Sequence, residues 1–176
     1  NSDWLSWKAA TWEASARHRR LAEELPATAA PAASALTTSP TTPYNSAELA
    51  IGEASDFERA KAALADGDFR AAADQFATFN QTYPGGPLGP EADLRHGDAL
   101  QGLGDTREAA RAYLASFSAD PTGPLAAEAL FQLGKSLGEL GQVQEGCVTL
   151  GEVAMRFPSS PYVAQAQAQR AVLSCQ

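Results

Sequence analysis

The feature of this sequence that most limits its fold is an internal repeat with a period of 37 residues. Turn-forming residues keep that spacing at Gly67, Gly104 and Gly141, at Pro84, Pro121 and Pro158, and at Pro87, Pro124 and Pro161. Small residues keep the 37-residue spacing in two columns: Ala60, Gly97, Gly134 and Ala171, and Ala72, Ala109 and Gly146. Large apolar residues keep it in two more: Phe57, Leu94 and Phe131, and Phe76, Tyr113 and Leu150. Because a unit of this length cannot bury its apolar face alone, the period predicts a stacked array.

Each unit is predicted to contain two helices separated by a glycine. The first helices are expected over about 55–66, 90–103 and 125–140, and the second over about 70–82, 107–119 and 144–156. Glycine adopts positive φ and ends the first helix, and proline stops the second. A last helix over about 161–175 has no helix after it. The prediction is an all-α solenoid of three helix pairs with a C-terminal capping helix.

Composition supports this choice of fold class. Ala fills 37 of the 176 positions, whereas Ile and Val together fill only six. Helices favour Ala and sheets favour β-branched residues, so a β-sandwich or a parallel α/β sheet is not expected. The net charge of -8 repels phosphate and argues against nucleic-acid binding. No apolar run is long enough for a transmembrane helix.

Two segments precede the repeats. Residues 1–25 are predicted to form a helix that carries Trp4, Trp7 and Trp12. This helix either packs on a partner or on the repeats, or lies on a membrane surface, or is poorly ordered. The uncharged, proline-rich residues 26–46 predict a semi-stiff linker.

The domain boundary is expected at Ala47, because the whole net charge belongs to residues 47–176, with nine basic and seventeen acidic side chains. The chain begins at Asn1 without Met, so we expect a processed or truncated product.

Nothing in the sequence predicts catalysis. His96 occupies a repeat position that normally holds a packing residue, so a structural or surface role is favoured over a general base. No Ser or Cys has a recognisable His partner, and the GLGD segment at 102–105 lacks the strand and the GK[ST] of a phosphate loop. The acidic residues do not follow a calcium-loop pattern. We therefore expect a non-enzymatic protein without a metal or cofactor.

The two cysteines, Cys147 and Cys175, are predicted to lie on antiparallel neighbouring helices. The start of one helix would then lie beside the end of the other, which makes a disulfide geometrically reasonable. Two free thiols are the alternative. A disulfide would pin the terminal helix and would indicate an oxidising compartment.

The pattern Gly97, Gly104, Ala109, Tyr113 and Pro121 resembles the tetratricopeptide (TPR) repeat, whose usual unit has about 34 residues. The longer unit, with the loops YPGGPLGPEA, DPTGPLAAEA and FPSSPYVAQA, is similar to the C-terminal domain of the CpoB/YbgF family. That resemblance implies a periplasmic adaptor of the Tol–Pal system. Such an adaptor would bind TolA and a peptidoglycan synthase, and would couple septal wall synthesis to outer-membrane constriction during cell division. Family members usually carry an N-terminal trimerising coiled coil, but residues 1–25 lack a heptad pattern, so no oligomeric state carries over.

TPR register predicts a peptide-binding groove on the concave side of the array, which the first helices line. Its ten residues are Phe57, Lys61, Leu64, Glu91, Leu94, Asp98, Gln101, Glu128, Phe131 and Lys135. The apolar members Phe57, Leu94 and Phe131 either form a ladder in the groove or pack between adjacent helices. An alternative function is a structural subunit of a membrane-associated assembly, docked through the tryptophan segment.

Overall fold

The repeat array is seen directly in a computed structural model, which describes residues 46–176, with side chains from residue 50 onward. This part of the chain contains seven α-helices and no strand: α1 (Ser46–Ala65), α2 (Phe69–Thr82), α3 (Gly89–Gly102), α4 (Thr106–Ala119), α5 (Ala126–Glu139), α6 (Val143–Arg156) and α7 (Tyr162–Val172). Helices α2, α4 and α6 begin and end at positions that differ by the repeat length, as do α3 and α5. The predicted all-α, TPR-like architecture is confirmed.

Helix α1 is longer than the sequence predicts. It begins at Ser46, whereas the repeat register places its start near residue 55. Residues 46–54 (SAELAIGEA) are mostly Ala, Glu and Leu, which favour helix, and they contain no proline. The helix therefore extends by more than two turns toward the N-terminus. The predicted helix over residues 1–25, with its three tryptophans, lies outside the described residues, as does nearly all of the predicted linker.

The glycines that end the first helices have the expected backbone conformation. Gly67, Gly104 and Gly141 have φ angles of 77°, 78° and 79°. The N–H of the residue after each glycine reaches back five positions, as when Asp105 donates to the carbonyl of Leu100 at 2.9 Å. This is the closing hydrogen bond of a Schellman-type helix end.

Sequential helices pack on one another and bury three apolar clusters. The first cluster centres on Phe57, Phe76 and Phe79, the second on Leu94 and Tyr113, and the third on Phe131, Leu150 and Val153. Leu100 packs against the first and second clusters, and Phe117 packs against the second and third. The core is therefore continuous along the array, as expected of a repeat protein.

Positions that hold a small residue in each repeat lie at contacts between helices. A Cβ atom on Gly97 would lie 2.5 Å from the Tyr113 ring, and one on Gly134 would lie 2.7 Å from Cγ of Leu150. The absence of a side chain at these glycines thus lets the large residue of the second helix lie against the backbone of the first.

At two glycines of α6, substitution by alanine is expected to have opposite effects on stability. A Cβ on Gly146 would lie 2.9 Å from the carbonyl oxygen of Gly134, a backbone atom that cannot rotate away. We expect Gly146→Ala to lower the free energy of unfolding by about 1–3 kcal/mol. A Cβ on Gly151 meets only the Arg170 guanidinium at 3.8 Å. Gly151→Ala should raise stability by about 0.5–1 kcal/mol through helix propensity. Urea unfolding of both variants measures this, and a destabilised Gly151→Ala or an unaffected Gly146→Ala would contradict the packing described.

Helix α7 closes the array and is tied to α6 by its cysteines. Cys147 and Cys175 form a disulfide pair with Cα atoms 5.6 Å apart, which confirms the predicted pairing. The helix ends at Val172, before the predicted limit of 175, because Ser174 adopts a φ of 56°. Among the described residues, no helix is long and apolar enough to cross a membrane.

Candidate peptide-binding face

The first helices α1, α3 and α5 share a row of polar side chains that bond to one another across helix boundaries. We call this row the polar strip. Its members are Glu58, Lys61, Glu91, Arg95, Asp98, Gln101, Glu128, Lys135 and Glu139. Each is partly or fully open to solvent, and six of the nine belong to the groove that TPR register predicts.

Arg95 forms the centre of the polar strip. Its Nη1 donates to Asp98 of the same helix at 2.8 Å and to Glu128 of α5 at 3.0 Å. Burial alone would lower the pKa of Arg95, but the two hydrogen bonds and the two carboxylate charges together raise it. The guanidinium therefore stays charged and joins repeat two to repeat three.

Asp98 connects the polar strip to the core. Its Oδ1 accepts a hydrogen bond of 3.0 Å from the Tyr113 hydroxyl, while its Oδ2 accepts from Arg95. Burial raises the pKa of Asp98, and Arg95 opposes that shift. Burial also raises the pKa of Tyr113, and the Asp98 charge adds to the increase. Asp98 is therefore a structural member of the strip as well as an accessible one.

The two ends of the strip are formed by lysines. On one side, Lys61 Nζ lies 3.4 Å from Glu58 and 3.9 Å from Glu91 of α3, and it stands 5.2 Å from the centre of the Phe57 ring. On the other side, Glu139 accepts from Gln101 of α3 at 2.6 Å and lies 3.8 Å from Lys135. Polar contacts thus cross both boundaries between first helices.

The ten residues predicted for the groove divide into two groups. Phe57, Leu94 and Phe131 are buried, with one in each apolar cluster, and half-buried Leu64 packs against the first cluster. These four side chains pack between helices, which is the second of the two expected arrangements. The other six belong to the polar strip: Lys61, Glu91, Asp98, Gln101, Glu128 and Lys135. Their contact with a peptide stays a prediction.

Sequence reasoning missed Arg95 and Tyr162. Arg95 lies four residues after Glu91 and three before Asp98, so helical spacing alone places it on the same face. Tyr162 of α7 stacks on Phe131 with ring centres 5.7 Å apart. Burial raises the pKa of Tyr162, and the charge of Glu128 raises it further, so this ring adjoins the strip. Nothing in the repeat pattern indicates this contact, because it depends on how α7 closes the array.

His96 is half-buried in α3. Burial lowers its pKa, while the charges of Asp74 and Glu108 act in the opposite direction. Burial therefore disfavours the charged form of the imidazole. From residue 46 onward, no three His, Cys, Asp or Glu side chains are grouped so that they could hold a metal ion.

Comparison with known proteins agrees with this architecture. The family model of the tetratricopeptide repeat matches residues 128–160, which begin in the first turn of α5 and end just before α7. No curated protein matches the chain. The helix order, the packing of successive helices and this match define a TPR-like helical-repeat fold, a class that generally mediates protein–protein interactions and is typically non-catalytic.

Proposed function

We propose that this protein is a non-enzymatic adaptor that binds a segment of a partner protein on the polar strip. The observation that carries the proposal is the continuity of the strip over α1, α3 and α5, through Lys61 to Glu91 and through Arg95 to Glu128. The hydrogen-bonded ion pair of Arg95 with Glu128, the less exposed of the two, restricts the positions of these side chains before a ligand arrives. Such pre-organisation reduces the entropy cost of binding.

The proposal extends to a specific setting, the periplasmic Tol–Pal system. Its support is the resemblance of the 37-residue unit and its three loops to the CpoB/YbgF family. The pairing of Cys147 with Cys175 is a second support, because disulfides persist in oxidising compartments such as the periplasm. In this setting TolA is the first expected partner and a peptidoglycan synthase the second, and the adaptor coordinates wall synthesis with outer-membrane constriction.

Photo-crosslinking in living cells tests the proposal at single positions. A photoreactive residue replaces Glu58 or Glu91, which lie at solvent-accessible points of the strip on α1 and α3. The matched control replaces Glu145, an exposed acidic residue in the first turn of α6, a second helix. We expect an adduct with TolA from positions 58 and 91 and none from position 145.

The outcomes separate the parts of the proposal. Adducts with a different protein from the strip positions alone would reject TolA and keep the adaptor function. Equal adducts from all three positions, or none from any, would contradict binding at the polar strip. Unchanged far-UV circular dichroism of each variant establishes that the repeats are folded.

A further inference from the structure

We infer that the polar strip selects a partner segment rich in Lys and Arg and rejects an acidic one. The inference rests on the proposed function, since it names the chemistry of the segment that this surface would bind. It concerns a protein partner, because the net charge of -8 disfavours both nucleic acid and an anionic lipid surface.

The balance of charge within the strip favours a cationic segment. The strip holds five carboxylates, Glu58, Glu91, Asp98, Glu128 and Glu139, and three cations, Lys61, Arg95 and Lys135. The strip is therefore negative even when every internal ion pair is intact. A cationic ligand reduces this excess of negative charge, whereas an anionic ligand increases it.

All three cations of the strip already have carboxylate partners. Lys61 pairs with Glu58 and Glu91, and Lys135 pairs with Glu139. A carboxylate of a bound segment would therefore approach either lysine beside a carboxylate that already lies 3.4 to 3.9 Å from it, and the two negative charges would repel each other.

Arg95 is the least available of the three cations. Its side chain is only 24% exposed, and both acceptors, Asp98 and Glu128, are less exposed still. Withdrawing the guanidinium would leave two partly buried carboxylates without their cation, which is costly. Arg95 therefore stays paired with Glu128 and links α3 to α5.

The carboxylates of the strip retain accessible acceptor sites. An ionised carboxylate accepts about four hydrogen bonds, so one lysine contact leaves most of its capacity unused. Glu58 is 70% exposed, and Glu91 and Glu139 are each about one-third exposed. These three lie on α1, α3 and α5 in turn, so they offer successive acceptors to cationic side chains along a bound segment.

The test begins with an unbiased selection. Random peptides of about twelve residues, displayed on phage, are selected on the immobilised full chain, and the enriched sequences are scored for net charge. We expect enrichment of peptides with net positive charge. A synthetic peptide from the enriched set should bind more weakly as salt rises from about 50 mM to about 500 mM, because screening weakens exposed charge pairs.

Matched variants locate the effect. Glu58→Gln with Glu91→Gln removes two charges from the strip, and Asp74→Asn with Glu145→Gln removes two exposed charges from the second helices α2 and α6. The strip variant should lose about fivefold to tenfold in affinity for the enriched peptide, and the control less than about twofold. Glutamine and asparagine preserve side-chain size, and circular dichroism verifies the fold.

Each outcome has a defined meaning. Enrichment of neutral or acidic peptides, or equal losses in the two variants, would overturn the charge selection. If neutral or acidic peptides are enriched and lose affinity when strip residues are changed, the adaptor function stands and the charge selection is rejected. Failure to enrich any peptide would count against peptide binding by this surface and against the charge selection together.

Discussion

Replacing Tyr113 with alanine should lower the free energy of unfolding by about 3–5 kcal/mol. Tyr113 is 1% exposed and belongs to the second apolar cluster. Its ring fills the space beside Gly97, where a Cβ would lie within 2.5 Å of it. Truncation therefore creates a cavity between α3 and α4, in the middle of the array, and leaves Oδ1 of Asp98 without its hydrogen-bond donor.

Two further variants divide this loss into its causes. Tyr113→Phe keeps the ring and removes the bond to Asp98, and we expect a cost of about 1–2 kcal/mol. Leu114→Ala changes the next residue of the same helix, which is 39% exposed, and should cost less than about 1 kcal/mol. Urea unfolding followed by far-UV circular dichroism measures all three. A Tyr113→Ala loss no larger than that of Leu114→Ala would show that Tyr113 is not a central packing residue.

Removing the disulfide should have the second-largest effect. Cys147 and Cys175 are separated by 28 residues, and closing such a loop stabilises a chain by about 3–4 kcal/mol in the loop-entropy estimate. Besides the disulfide, helix α7 is held by Ala166, its one buried residue, and by partly buried Tyr162 and Val163. We therefore expect Cys147→Ala with Cys175→Ala to lose about that amount, and α7 to exchange its amide hydrogens much faster than α6.

The reduced wild-type chain provides the matched comparison, because it lacks the bond but keeps both residues. Its unfolding midpoint under a reducing agent should equal that of the double alanine variant within error. If the double variant and the oxidised wild type differ by less than about 0.5 kcal/mol, the disulfide does not pin α7. Faster exchange throughout all seven helices would instead indicate that the whole array depends on the bond.

The repeat register predicts most of the fold because the residues that end each first helix act locally. Gly67, Gly104 and Gly141 need positive φ, and that need fixes where each first helix ends. The start of α1 is different. Residues 46–52 align with the proline- and glycine-rich loop at 83–89, so the register predicts a loop where helix-forming residues extend α1. The register therefore fails at the start of α1 and holds for the helices that follow.

The candidate site is less predictable from the sequence, because it depends on how deeply each side chain is buried and on which helices lie beside it. Spacing places Leu94 and Asp98 on the same region of α3, but it does not show that Leu94 is fully buried while Asp98 remains partly exposed. The ion pair between Arg95 and Glu128 requires α5 to lie beside α3 at one particular rotation. Charge type is visible in a sequence, whereas pairing across helices follows from the packing.

Hydrogen–deuterium exchange of the full chain with and without TolA tests the central claim most directly. If the polar strip is the binding surface, amides of α3 and α5 should become protected when TolA binds, while those of α4 and α6 change little. No change in any helix with TolA would reject TolA as the proposed partner, and slowed exchange in the second helices alone would contradict binding at the polar strip.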